Sequence, residues 1–425
     1  MAPPDHGQPS TDRALAGRRI VLLTLQHLAH APRAQKEAAA LAAAGAQVTV
    51  LGSWWDRTKA AEDEHLARAG GFTFVPLVTL FQGTRGATLV RLRARLAREL
   101  YRRWRIVRPE AYGLTARLLL QSAHDLKPDL VMVHCEPGLW AGRELHRRGF
   151  RVGIDFEDWF SADLLPEARA ERPVAALAEA ENYLLRHAAV RFAPTRAMAE
   201  ALARNAGVPT IPLRIPNCFP WSDAPATGRT SGDARGAATL SLYWFSQTIG
   251  PGRGLESLAS ALALVRGPWE LHLRGDIHAH RAWFEATFPA ALRERIHIHP
   301  PASNHDLPIL SAAHDVGLAL EIPFCPSRDL TATNKIFEYL RCGLAVVATA
   351  TTGQREVMRE CPAAGWLVPP GDSAALASTI QSCLDRPDMV RDAREAARQA
   401  ARDAWAWERF RPDLVQAVTT ALPRN

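Results

Sequence analysis

Residues 331–353, TATNKIFEYLRCGLAVVATATTG, constrain the fold more than any other stretch of the chain. Thr333 or Asn334 suits a helix cap, Ile336, Phe337 and Leu340 supply a buried stripe, and Gly343 suits the residue after the helix end. LAVVATA is β-branched and apolar enough for an inner strand of a parallel sheet. A helix starting at 333–334 aims backbone N–H groups, carrying about half a positive charge, at whatever sits above it, which favours phosphate. Asn334, Glu338 and Arg341 share the polar face through spacings of four and three. A carboxylate one turn inside such a start is a poor phosphate ligand but is placed to accept hydrogen bonds from a ribose. Capped helix, glycine and strand also occur in α/β domains generally, so the surroundings must carry the nucleotide reading.

Those surroundings repeat the theme. TLSLYWFSQ (239–247) reads as a strand and runs into TIGPGRGLESLASAL, where Gly250, Gly252 and Gly254 let a backbone approach a ligand and Arg253 stands just before a helix. WELHLRGD (269–276), RIHIHP (295–300) and HDVGLALE (314–321) read as further strands. Histidines 272, 278, 280, 297 and 299 fit the half-exposed faces of alternating strands better than a zinc cluster. Only four lysines (36, 59, 127, 335) occur beside 47 arginines, so a compact ammonium at Lys335 points to a particular geometric need.

In the first half, RRIVLLTL (18–25) is a strand, followed by a loop with His27, His30 and Arg33, an alanine-rich helix and the strand AQVTVLG. No G-x-G-x-x-G joins that strand to its helix, which argues against a nicotinamide oxidoreductase. PDLVMVHC (128–135) and FRVGIDFEDWF (150–160) are the next strands; the second ends in Asp155, Glu157 and Asp158. Ligands sit outside the carboxyl ends of parallel strands, so these acids mark a candidate ligand site. WSDAPATGRTSGDARGA (221–237) is a linker by composition.

The net charge is +7, and the segment from Arg85 to Arg108 carries more than that excess, with nine arginines and one glutamate. Leu89, Leu92, Leu96, Leu100 and Trp104 recur there at helical spacing. The helix either packs its leucines on a core or offers a basic amphipathic face to an anionic membrane or other anionic partner. Nucleic acid has no supporting module or interleaved aromatics. No stretch approaches a membrane span, residues 1–17 read as a loose tail without a signal core, and six scattered cysteines suit a reducing cytoplasm.

Asn334-Lys335, Glu338, Thr352-Gly353 and GWLVPPGD (365–372), with Pro32-Arg33, Pro194-Thr195 and Ile215-Pro216-Asn217, resemble the retaining GT-B glycosyltransferases of family 4, the glycosyl transferases group 1. The resemblance spans roughly 18–422. It implies two α/β Rossmann-like domains facing a cleft: an acceptor domain (18–222 plus 408–425, the last helix crossing back) and a nucleotide-sugar domain (236–407). It further implies transfer from a UDP- or GDP-sugar to a glycan or lipid-linked acceptor, in cell-surface polysaccharide or glycolipid synthesis, without metal or other cofactor. Arg253, Lys335 and Glu338 fall on catalytic positions, Gln247, Gly252, Thr333, Asn334 and Gly353 on donor contacts, and His27, Arg33, Glu157 and Asp158 on the acceptor side. Arg91, Arg93, Arg95, Arg98, Arg102, Arg103 and Arg105 would face a membrane, as a peripheral protein on its inner side. Two positions depart from the family pattern. Leu330 stands where a first glutamate is usual, with Asp329 adjacent, and Gln247 replaces the first of two basic residues. These departures keep a noncatalytic nucleotide-sugar or glycan-binding protein as the alternative.

Overall fold

The structure is a computed structural model and describes residues 13–81, 83, 85–225 and 239–423. Residues 1–12 of the expected tail and 226–237 of the expected linker lie outside the described residues. The chain divides into two compact units. The first holds the residues up to Ala193, Ala199–Ile215 and those from Phe410 on; the second holds Pro194–Met198 and Pro216–Arg409.

The first unit is built on β1 (Arg19–Leu23), β2 (Gln47–Trp54), β3 (Thr73–Thr79), β4 (Leu130–Val133), β5 (Val152–Asp155), β6 (Arg191–Ala193) and β7 (Leu213–Arg214), all parallel, in the order β3-β2-β1-β4-β5-β6-β7. β1, β4 and β5 are buried almost throughout, as inner strands covered on both faces must be. β3 escapes sequence reading because Pro76 interrupts it, and it lies at the sheet edge, where a missing N–H costs least. The helix Trp407–Ala421 buries Leu414 and Val418, and carbonyls at its end, Ala421 O and Pro423 O, accept from Arg151 and Arg18.

The second unit repeats the plan with β8 (Leu240–Thr248), β9 (Trp269–Asp276), β10 (Ile296–His299), β11 (Val316–Ala319), β12 (Ala345–Thr349) and β13 (Gly365–Val368) in the order β10-β9-β8-β11-β12-β13, again parallel. Both units are thus doubly wound, Rossmann-like sheets that reverse their winding beside the first strand, at β1/β4 and at β8/β11. Residues 216–222 join the second unit, not the first. Phe219 bridges to Ala406 and stacks under the Arg341 guanidinium at 4.1 Å, and Trp221 N–H donates to Glu408 at 3.1 Å.

The arginine-rich segment forms the helix Arg85–Trp104, which settles the direction of its leucines. Ala87 and Ala97 are buried against the unit, whereas Leu89, Leu92, Leu96 and Trp104 are 46%, 61%, 58% and 61% exposed. The helix therefore has a small-residue face turned inward and a leucine face turned to solvent. All seven arginines named above are exposed beside it. Its one acid, Glu99, pairs with Arg102 and Arg103.

Glu181, on the helix Val174–His187, supports the loop after β5: it accepts from Ser161 N–H at 3.0 Å and bonds the Ser161 hydroxyl. Burial pushes its pKa up from 4.5 to about 7. Between those values the folded chain keeps a proton that the unfolded chain releases, so stability falls as pH rises through this window, by up to roughly 3 kcal/mol. Glu181→Gln should abolish that loss. Thermal melts at pH 5 and pH 8 will show a smaller drop in Tm for the variant than for the parent chain; equal drops would refute the assignment.

Candidate active site

Winding reversal leaves a crevice at the carboxyl ends of β8 and β11. Three segments of the second unit converge there: the loop Ile249–Gly254 after β8, the residues Leu320–Cys325 after β11, and the start of the helix Asn334–Cys342. Gly254, at φ +77°, lies so close to Leu320 that a Cβ on it would come within 2.7 Å of the Leu320 Cβ. A side chain here would hold the first two segments apart.

At this crevice Lys335 Nζ sits 2.7 Å from Glu321 Oε1, the two side chains only 11% and 13% exposed. Glu321 is itself fixed: its N–H donates to Thr349 Oγ1 at 2.8 Å, and the Thr349 hydroxyl donates to Glu321 O at 2.8 Å. Gln354 Nε2 ties the ends of β11 and β12 together by donating to Ala319 O and Thr349 O at 3.1 and 2.8 Å. Arg253 is exposed and donates to Ser246 Oγ at 3.0 Å. Thr333 holds the N-cap position of the helix Asn334–Cys342 with extended backbone but makes no cap bond, and the hydroxyls of Thr331 and Thr333 are buried without a hydrogen-bond partner among the described residues. The crevice therefore offers an ammonium, a guanidinium, a helix start and two unengaged hydroxyls, a set suited to a phosphorylated ligand.

Other expected donor residues stand differently. Glu338 is fully buried: Arg341 donates to its Oε2 from Nη2 at 2.6 Å and from Nε at 2.9 Å, and Cys342 Sγ contacts Oε1 at 3.5 Å. Burial raises its pKa, and Arg341 opposes that rise. On the same face, Asn217 Nδ2 donates to Asn334 Oδ1 at 2.6 Å and the Phe219 ring lies under the Arg341 guanidinium. Gly252 donates its N–H to Glu256 Oε1 at 3.0 Å. Gly353 is a packing glycine, since a Cβ would fall 2.4 Å from the Thr331 backbone. Gln247 is exposed at the end of β8. Asp329, the neighbour of Leu330, accepts from Thr352 N–H and Oγ1 at 3.0 and 2.7 Å and so positions the helix Thr352–Glu360. Sequence reading missed Glu321; an acid directly after a buried apolar strand was the available signal.

In the first unit, two residues expected on the acceptor side are buried and hydrogen-bonded. His27 is fully buried; its Nε2 accepts from the N–H groups of Trp55 and Asp56 at 3.1 and 3.0 Å, so Nδ1 carries the proton donated to Asp63 at 2.7 Å. Arg33 is also buried, donating to both Asp155 oxygens at 2.6 and 2.7 Å and to Ile215 O at 2.6 Å. Beside it, His134 Nε2 lies 3.3 Å from Glu37 Oε2, and His134 Nδ1 lies 3.0 Å from Glu157 Oε1. Burial alone would lower the His134 pKa, but Glu37, then hydrogen bonding to Glu157 and Glu37, hold it well above its ordinary value. Glu37, His134 and Asp155 bring donor atoms within 4.8 Å of one another, a metal-like spacing. Arg33 already occupies both Asp155 oxygens, which leaves that carboxylate engaged within the protein. Glu157 and Asp158 remain half-buried at the carboxyl end of β5, where expected.

Two family descriptions match the chain: "Glycosyl transferase 4-like domain" over residues 29–218 and "Glycosyl transferases group 1" over residues 242–386. No curated protein sequence is a significant match. Among solved structures, HepE of Anabaena, determined with UDP-glucose, is 17% identical with a TM-score of 0.70, over 95% of this chain and 100% of HepE. Sucrose-phosphate synthase from Thermosynechococcus elongatus is likewise 17% identical with a TM-score of 0.70, over 95% and 98% of the two chains. α,α-Trehalose 6-phosphate synthase from Burkholderia multivorans is 15% identical with a TM-score of 0.65, over 95% and 99%. At such identities the likeness establishes the fold, that of the GT-B enzymes.

Gly254 and Gly252 allow the crevice geometry to be tested. Both have positive φ, but a Cβ at Gly252 (φ +72°) meets nothing within 4 Å. Gly252→Ala should cost only the left-handed penalty, about 1–2 kcal/mol, and Gly254→Ala roughly 2–4 kcal/mol with the clash added. Equal losses in urea melts would show that Gly254 does not carry this contact.

Proposed function

We propose, for a chain that belongs to the group 1 glycosyltransferases of GT-B fold, that it moves a sugar with retention from a UDP- or GDP-sugar to a glycan or lipid-linked acceptor. The reading supports a place in cell-surface polysaccharide or glycolipid synthesis. The observation that carries it is the cationic crevice at β8/β11, where Arg253, Lys335 and the helix start at Thr333-Asn334 surround a position suited to a diphosphate. HepE, of the same fold, was solved with UDP-glucose, which supports a uridine donor.

The barrier in such chemistry is the charge that builds on the departing diphosphate. Donors preorganised toward that charge each contribute on the order of 3 kcal/mol. Lys335 is held by Glu321 until a phosphate competes for it, and Arg253 is free to swing in from solvent. The departing phosphate oxygen would take the acceptor's proton on the same face, so the reaction requires no protein nucleophile and no metal. Glu338 then acts through Arg341 as a positioning residue beneath the helix rather than as a ribose ligand. Glu157 and Asp158 stay as acceptor-side contacts.

A lipid-linked acceptor is favoured by the solvent-facing leucines of the helix Arg85–Trp104. Each basic residue near an anionic surface contributes about 1 kcal/mol, and each leucine that leaves water adds about 1.5–3 kcal/mol. No helix of the described residues is long and apolar enough to cross a membrane, so this would be surface attachment.

Arg253→Ala and Lys335→Ala should each lower kcat/KM for the nucleotide sugar about 100-fold or more, and Arg253→Ala should do so at unchanged Tm because Arg253 is exposed. NMR of the product should show the donor's anomeric configuration. Undiminished turnover would remove these residues from the site, and donor binding without any transfer or hydrolysis would favour the noncatalytic reading that Leu330 and Gln247 suggest. In a separate assay, Leu92→Asp with Leu96→Asp should cut co-sedimentation with phosphatidylglycerol vesicles at least tenfold; retained binding would exclude this helix as the attachment surface.

A further inference from the structure

We propose that Glu270, His272 and His297 form a zinc-binding site that staples the edge strand β10 to β9. It is independent of the transferase reading, lying along the strands rather than at their carboxyl ends.

The two strands run parallel with His297 opposite His272 and Ile296 opposite Leu271. Alternation puts Glu270, His272, His297 and His299 on one face and Leu271, Leu273, Ile296 and Ile298 on the other. On the polar face one carboxylate oxygen serves as a hub: Glu270 Oε2 is 3.5 Å from His272 Nε2 and 3.7 Å from His297 Nε2. The three donor atoms lie within 4.8 Å of one another. Both distances exceed those of good hydrogen bonds and approach the edge of about 3.4 Å that separates neighbouring ligands around a tetrahedral zinc with bonds of 2.0–2.1 Å.

The far side of the central histidine supplies a second, separate argument. His272 Nδ1 lies 3.0 Å from His299 Nε2. When His272 donates across that contact, its Nε2 presents a lone pair toward Glu270, which is the tautomer a metal requires, fixed by an outer partner as metal-bound histidines usually are. His272 is 3% exposed and its ring is clamped between His297 and His314, with centroids 4.6 and 4.5 Å away. The His297 and Glu270 side chains, 44% and 35% exposed, form the open side. An ion would enter from this side, and water would complete the coordination. Two imidazoles and one carboxylate suit zinc over magnesium or calcium. The benefit to the fold is specific: β10 has only four residues, lies at the sheet edge and pairs with β9 alone.

The full chain, stripped with a chelator, should take up one Zn²⁺ per molecule by calorimetry and melt at a higher temperature with zinc than without. His297→Ala, at an exposed position, should leave the metal-free Tm unchanged and weaken zinc at least 100-fold, and Glu270→Gln should act similarly. His299→Ala should weaken it 10- to 100-fold through the outer partner. Cobalt in place of zinc should show the intense visible absorption of a tetrahedral site in the parent chain only. The proposal is overturned if micromolar zinc does not bind, if binding survives His297→Ala and Glu270→Gln, or if it is lost instead with His278→Ala and His280→Ala. A Tm that responds to pH across the imidazole range but not to zinc would show that a shared proton holds the cluster, and would equally overturn it.

Discussion

The ion pair between Lys335 and Glu321 is the contact on which the second unit's crevice depends. At 2.7 Å and with little exposure on either side, neither charge can be abandoned without the penalty of a buried lone ion. Each partner belongs to a different segment: Glu321 follows β11 and Lys335 opens the helix Asn334–Cys342. The pair therefore pins the helix start over the end of the sheet, and the Thr349 and Gln354 hydrogen bonds extend that constraint to β12.

Much of this arrangement is legible from local pattern. The helix Asn334–Cys342, its left-handed Gly343 (φ 68°) and the strand β12 follow directly from spacing, cap and glycine preference, because each is decided by residues within one or two turns. The arginine-rich helix shows where such reading stops. Periodicity says that leucines share a face, but Ala87 and Ala97 on the other face also bury well, and only tertiary structure reveals that the smaller residues won the inward side.

Three candidate site residues that the structure buries share one feature. His27, Arg33 and Glu338 are polar, and a polar residue in a sequence window looks available for a ligand. Two of them find partners remote in sequence: Asp63 is 36 residues from His27, and Asp155 is 122 residues from Arg33. Glu338 has a local partner in Arg341, three residues on, but what buries the pair is the segment at 217–219, more than a hundred residues away. Burial with a satisfied partner turns a candidate ligand into a structural group, and no local rule announces it.

The two units place different chemistry at the same topological point. At β1/β4 Arg33 and His134 face Glu37, Asp155 and Glu157 within a buried cluster, where Arg33 pairs with Asp155. At β8/β11 the Lys335–Glu321 pair is neutral as a unit, yet exposed Arg253 adds uncompensated positive charge, and the Thr331 and Thr333 hydroxyls remain buried and unengaged. An unsatisfied buried polar group costs about 1–3 kcal/mol, a cost that a bound ligand can recover. In the first crevice a polyanion would meet groups already paired with one another, and in the second it would meet exposed Arg253 beside the Lys335–Glu321 pair. That asymmetry, rather than any difference in fold, is what distinguishes the two crevices.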